Sequence, residues 1–140
     1  GTTSIKVGVD VSSYALHKAS SKTEASLAYA TVDALPFRDN AFEVVFCSDV
    51  LEHLLVQDTP SAISELVRVS QKVLILTINT THAYHYHPTI RPRLYWEGLL
   101  NASRAIKNIE YESIFNDSTL IEFPEYEFFI HMKQTNLSFF

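Results

Sequence analysis

The stretch from Phe42 to Leu55, FEVVFCSDVLEHLL, constrains this chain more than any other. Its run Val44 to Cys47 is continuously apolar, with β-branched and aromatic members, the pattern of a strand covered on both faces in a parallel sheet. Polarity then flips to Ser48 and Asp49, followed by Glu52 and His53. In open α/β sheets ligands sit beyond the carboxyl ends of parallel strands. Chemistry is therefore expected where this run ends.

The surrounding segments supply the rest of such a sheet. Ile5 to Val11 has strand composition and reaches Asp10, with Ser12 and Ser13 able to cap a helix over Tyr14 to Lys22 that turns Ala15, Leu16 and Ala19 inward. Leu27 to Val32 is a second apolar run, ending at Asp33. Two strands separated by a helix imply parallel pairing through a right-handed crossover. Pro60 suits the first position of a helix in which Ile63, Leu66 and Val67 recur at helical spacing. Lys72 to Ile78, the most apolar run, reads as an interior strand.

Beyond it, Asn79 to Pro92 shows no periodicity, and a loop of that length in a compact domain is usually functional. Pro92 can open a helix with Tyr95, Leu99, Ala102 and Ile106 on one stripe. Ile109 to Phe115 and Tyr126 to Met132 both alternate, which predicts a terminal antiparallel strand pair.

At 140 residues the chain is one domain, 1–140, able to bury a sizeable core. Its eleven Lys and Arg are scattered and the net charge is −5, which argues against a nucleic-acid partner or a basic membrane-binding patch. No apolar run is long enough for a bilayer span and no signal-peptide pattern is visible, so a cytoplasmic location is expected. Sequons at Asn79, Asn101, Asn116 and Asn136 would matter only in a secretory compartment. Cys47, the sole cysteine, reads as a small buried hydrophobe.

Asp10, Asp33 and the pair Ser48 and Asp49 thus close three strands on one sheet edge. Carboxylates so placed can accept from ribose hydroxyls and from an exocyclic amine, which suits an adenosine-containing ligand. In order, VGVDVS at Val7 to Ser12, VDALPF at Val32 to Phe37, FEVVFCSDVLEHL at Phe42 to Leu54 and SELVRVSQKVLILT at Ser64 to Thr77 resemble the motifs of class I S-adenosylmethionine-dependent methyltransferases. The likeness is to the small-molecule branch, and RPRLYWEGLLNAS at Arg91 to Ser103 resembles the helix after that family's fifth strand. The resemblance implies a Rossmann-like, mostly parallel sheet with helices on both faces and a C-terminal antiparallel pair. It also implies S-adenosylmethionine as cofactor and a small-molecule acceptor. Asp10 would bind the ribose and Val11 pack on the adenine. Asp33 would accept from the adenine amine, with Ala34 lining its pocket. Ser48 and Asp49 would approach the methionine end, and His53 would lie near methyl transfer as a general base.

With three glycines, the chain carries no GxGxG and lacks the strand that precedes this loop in the family. An N-terminally truncated methyltransferase fold is the expectation, its sheet closing over the gap or taking a strand from a second copy or a partner chain. A catalytically inactive methyltransferase-like module acting through protein association is the alternative. Binding of another adenosine nucleotide would want a phosphate-cradling loop, which is absent. Simpler readings stand beside each residue. Asp10 can cap a helix, Asp33 can bond local backbone, and His53 can be a loop histidine. His82, His85 and His87 lack accompanying ligands at metal-site spacing, so no metal is expected. Tyr84, Tyr86, Tyr95 and Trp96 are pocket candidates, and Phe123 to Phe129 with Phe139 and Phe140 are candidates for an interface.

Overall fold

The computed structural model describes residues 4–82, 86–117 and 125–134. Strand β1 (Val7–Asp10) leads into helix α1 (Ser13–Ser20), which returns the chain to β2 (Ser26–Tyr29), parallel to β1 with Gly8 opposite Leu27. Ser12 caps α1 as expected, its Oγ accepting from Ala15 N at 3.1 Å. A Cβ at Gly8 would stand 2.9 Å from Leu27 Cδ2, a contact that a small turn of the leucine side chain would relieve.

Strand β3 (Phe42–Ser48) follows the Asp33–Asn40 connector, and helix α2 (Thr59–Val69) carries the chain to β4 (Ser70–Asn79), parallel to β3. Pro60 sits in the first turn of α2, where its missing N–H costs no hydrogen bond. Helix α3 (Arg93–Ala102) leads to β5 (Ala105–Lys107), helix α4 (Ile109–Phe115) and β6 (Tyr126–Lys133). β6 inserts antiparallel between β4 and β5. Ile63, Leu66, Leu76, Ile78, Trp96, Leu100 and Phe129 form the core over the four-stranded sheet.

Two hydrogen-bonded sheets result, β1-β2 and β3-β4-β6-β5. Among the described residues, nothing fills the gap between them. β1 and β3 each pair on one side only, and their other edges line a single cleft of about 650 Å³, flanked by Val7, Val9 and Val11 and by Val44, Phe46 and Ser48. This corrects the expectation that β3 is covered on both faces. Val45 and Cys47 pack into the core beside α2, but Val44 and Phe46 are 57% and 62% exposed. Among the described residues nothing covers them, because α2 takes the opposite face.

Two further readings change. Ile109 to Phe115 is a helix, not a strand: Asn108 caps it by accepting from Tyr111 N, and Glu110 and Glu112 stand in its first turn, where the helix dipole favours negative charge. The strand paired with β6 is instead the short β5. In α3 the fully buried stripe is Trp96 and Leu100, one position on from the expected Tyr95 and Leu99, and Ile106 lies exposed on β5. Phe129 is core, whereas Phe123, Phe139, Phe140, Tyr84 and His85 lie outside the described residues.

Candidate active site

At the end of β1, Asp10 Oδ1 accepts from Ser12 N at 2.7 Å, so the carboxylate is fixed by the turn that starts α1. It remains exposed and keeps acceptor capacity on its other lone pairs. Val11 is exposed beside it, and both line the cleft. Ser48 lines the same cleft from the end of β3.

Behind Ser48 lies a network centred on Thr77, a β4 residue the motifs did not single out. Thr77 donates its hydroxyl proton to Asp49 Oδ1 at 3.0 Å, which leaves Ser48 Oγ as the donor to Thr77 Oγ1 at 2.7 Å. Asp49 N also donates to Thr77 O at 3.1 Å. Asp49 has φ 55°, a left-handed conformation that few non-glycine residues adopt, and this turns the chain off the strand. β3 and β4 are in register here, Ser48 opposite Thr77, which makes the network a product of parallel pairing.

Asp33 and Ala34 stand on an exposed turn after β2 and are not among the residues lining the cleft; Ala34 N donates to Thr31 O at 3.1 Å. The connector that follows is clamped by α2. Arg68 donates to the carbonyls of Leu35 and Phe37 and to Asp39, while Glu65 accepts from Leu35 N at 2.8 Å and from Arg68. The Arg68 guanidinium holds the Glu65 carboxyl below its usual range. The clamp sets where Leu35 and Phe37 enter the cleft wall.

Past Asp49, the turn Leu51–His53 places Glu52 and His53 against the loop after β4. His53 Nδ1 lies 3.0 Å from Tyr86 O, and its ring meets His87 edge-on at 4.4 Å. Glu52 is fully buried, and burial pushes its carboxyl above the ordinary range. His87 is buried and desolvation lowers its pKa. Glu52, His53 and His87 each offer a ligand atom within 4.8 Å of the others. Cys47 is no nucleophile: burial, with Glu52 and Asp49 nearby, pushes its thiol up to about 12.

The structure therefore unites Asp10, Val11 and Ser48 around one cleft, sets Asp49 and His53 just beyond its rim-forming strand, and keeps Asp33 and Ala34 on the far turn. In open α/β sheets, the carboxyl ends of parallel strands are where ligands sit. Solved structures identify the fold. The magnesium protoporphyrin IX methyltransferase of Synechocystis, solved with bound SAM, superposes with a TM-score of 0.72 at 16% identity, covering 94% of this chain and 60% of that one. The chain thus spans less than two thirds of that enzyme's length. A chain from the complex of the Haloferax volcanii Trm112 methyltransferase activator with its methyltransferase gives 0.73 at 12% identity, covering 94% and 73%. The [4+2]-cyclase SpnF gives 0.65 at 14%, covering 92% and 66%.

A family model described as methyltransferase domain matches residues 2–75, more than half of the chain. The chain belongs to this methyltransferase family, of the class I fold, whose methyl donor is S-adenosylmethionine. No curated protein sequence matches it. Among the described residues, no helix is long and apolar enough to cross a membrane.

Proposed function

We propose that this chain binds S-adenosylmethionine at the carboxyl ends of β1 and β3 and directs methyl transfer to a small-molecule acceptor. The observation that carries this reading is the meeting of Asp10 and Val11 with Ser48 at the strand-end rim of one cleft. Asp10, braced by Ser12 N, accepts from the ribose hydroxyls, and Val11 packs against the adenine. Asp33 and Ala34 close on the adenine edge from the turn after β2. Ser48 and Asp49, held by Thr77, face the methionine portion.

When bound, the cofactor supplies a methyl group on a sulfonium that departs as a neutral thioether. The residues then have three tasks: to hold the acceptor in line with the methyl–sulfur bond, to exclude water, and to take the acceptor's proton. His53 serves the last. Its Nδ1–H donates to Tyr86 O, which leaves Nε2 with the lone pair that receives the proton as the new bond to carbon forms.

The lower part of the cleft has another occupant. The backbone edges of β1 and β3, both one-sided and both parallel to their partners, suit one extended strand running parallel to each. Such a strand would lie in the plane of the two sheets and hydrogen-bond to both edges.

Calorimetric titration of S-adenosylhomocysteine into the chain, repeated with Asp10→Ala, tests the reading. Saturable binding that weakens at least about tenfold in the variant, the loss of one charge-assisted bond, is the expected result. Equal binding by both proteins would remove the ribose role from Asp10. No binding by a folded chain would overturn the cofactor-binding reading for this chain.

A further inference from the structure

Among the described residues, two glutamates are buried, and they are solved differently. Glu112 has both carboxylate oxygens engaged: Arg93 donates to Oε2 at 2.6 Å and Ile130 N to Oε1 at 2.8 Å. Glu52, fully buried, receives on Oε1 only a long 3.4 Å bond from Asn79 N, and its Oε2 has no partner. An unpartnered carboxylate oxygen at that depth calls for a cation or a proton.

Two histidines stand at the same spot. His53 follows Glu52 on the same turn, and the Nδ1–H it gives to the Tyr86 carbonyl fixes Nε2 as its lone-pair nitrogen. Metal-bound histidines are oriented by such a bond from the second nitrogen to a carbonyl or carboxylate. His87 arrives from the loop after β4, buried, its ring 4.4 Å from that of His53, its Nδ1 3.5 Å from Asn79 Nδ2, and hydrogen-bonded to the backbone of His82, which leaves Nε2 as the nitrogen facing the cluster in the metal-bound state. One ligand atom from each of the three residues lies within 4.8 Å of the others. Bonds of roughly 2.0–2.2 Å in a tetrahedral site place ligand atoms about 3.4 Å apart. The cluster must therefore contract by up to about 1.4 Å, a movement open chiefly to His53, the one exposed member.

The geometry points to a divalent transition-metal site formed by Glu52, His53 and His87. Two imidazoles and one carboxylate form a donor set that suits Zn²⁺ or Fe²⁺ and leaves coordination positions open. The role of the ion rests on the proposed methyl transfer. It would take an acceptor hydroxyl into an open position and acidify it, so that the proton leaves to solvent and the oxygen's freed lone pair attacks the methyl carbon. In the metal-loaded protein His53 is then a ligand, and its role as proton acceptor belongs to the metal-free state. The site deepens the functional reading by naming a class of acceptor, hydroxylated small molecules.

Zinc titration by calorimetry into the tag-free, metal-stripped chain tests this, with Co²⁺ absorption as an independent report on coordination. One Zn²⁺ per chain is expected, weakened at least about tenfold in His53→Ala and in His87→Ala and unchanged in His17→Ala, a histidine on α1. His53 is exposed, so its variant should fold, and circular dichroism checks that it does. Zinc bound equally by His53→Ala, or no saturable binding by the folded wild-type chain, would overturn the site and leave Glu52 as a neutral carboxylic acid. Titrating S-adenosylhomocysteine into the same sample separates the two readings. Cofactor binding without zinc would sink only the metal site, and zinc without cofactor only the methyltransferase reading.

Discussion

Replacing Thr77 by valine probes the strand-end network on its own. Valine keeps the shape of threonine and the strand preference of the site but removes the hydroxyl that takes a proton from Ser48 and gives one to Asp49. A neutral hydrogen bond contributes about 1 kcal/mol net, and one to a charged group about 1.5–3 kcal/mol. Asp49 is exposed, however, and water can replace the lost donor, which brings the second contribution down to about the first. Because the two bonds share one hydroxyl they do not add fully, and a loss of about 1–2 kcal/mol follows. With a urea slope of about 2 kcal/mol/M, the unfolding midpoint should fall by about 0.5–1 M with the slope unchanged. Cofactor affinity should fall with it, since Ser48 and Asp49 lose their common anchor. A midpoint shift below about 0.2 M would refute the reasoning, for it would mean that Thr77 holds neither side chain.

Other consequences concern burial and pH. Trp96→Ala empties the centre of the core and should cost about 3–5 kcal/mol in urea unfolding. Glu52 has its carboxyl raised by burial, so the folded state binds a proton more readily than the unfolded one, and stability falls as pH rises from 4.5 through the raised value. Glu52→Gln should remove that part of the slope, read as the difference between wild-type and variant stability across pH. His131 is the opposite case: burial, with Arg93 nearby, lowers it from 6.5 to about 4. Its neutral form is native, so stability is complete above pH 6.5 and is lost as pH falls toward 4, by up to about 3 kcal/mol. His131→Phe should flatten the acid limb of the stability profile; an unchanged limb would assign the loss to other groups.

The parallel part of the fold was legible because apolar runs that end in polar residues leave a plain trace. β1, β3 and β4 begin or end close to where Ile5 to Val11, Val44 to Cys47 and Lys72 to Ile78 predict. The reading failed where the decisive partner is remote. Ile109 to Phe115 alternates like a strand, yet Ile109 and Tyr111 are exposed and the one buried side chain is Glu112, bonded to Arg93 and to β6. The cap Asn108 with two glutamates close behind was the available sign of a helix start. β3 looked covered on both faces because composition reports apolarity and not what lies against it. Val44 and Phe46 are apolar and open to the cleft.

The site was legible in the same uneven way. Asp10 and Ser48 follow from strand ends alone, and the structure places both on one cleft. Thr77 looked like one more β-branched residue in an apolar strand, and only its register opposite Ser48 reveals its role. His87 is separated from Glu52 and His53 by the whole of α2 and β4, so no local spacing joins it to them. His87 stood out in sequence only as part of a histidine-rich loop without accompanying ligands at metal-site spacing.

Chemical-shift mapping of the isotope-labelled chain with S-adenosylhomocysteine is the most direct test of where the cofactor sits. The account predicts concentration-dependent shifts that saturate and centre on the amides of Asp10, Val11, Ser48 and Asp49, with a weaker group at Asp33 and Ala34. Saturating shifts confined to α3, α4 or β5, with the ends of β1 and β3 unmoved, would contradict it.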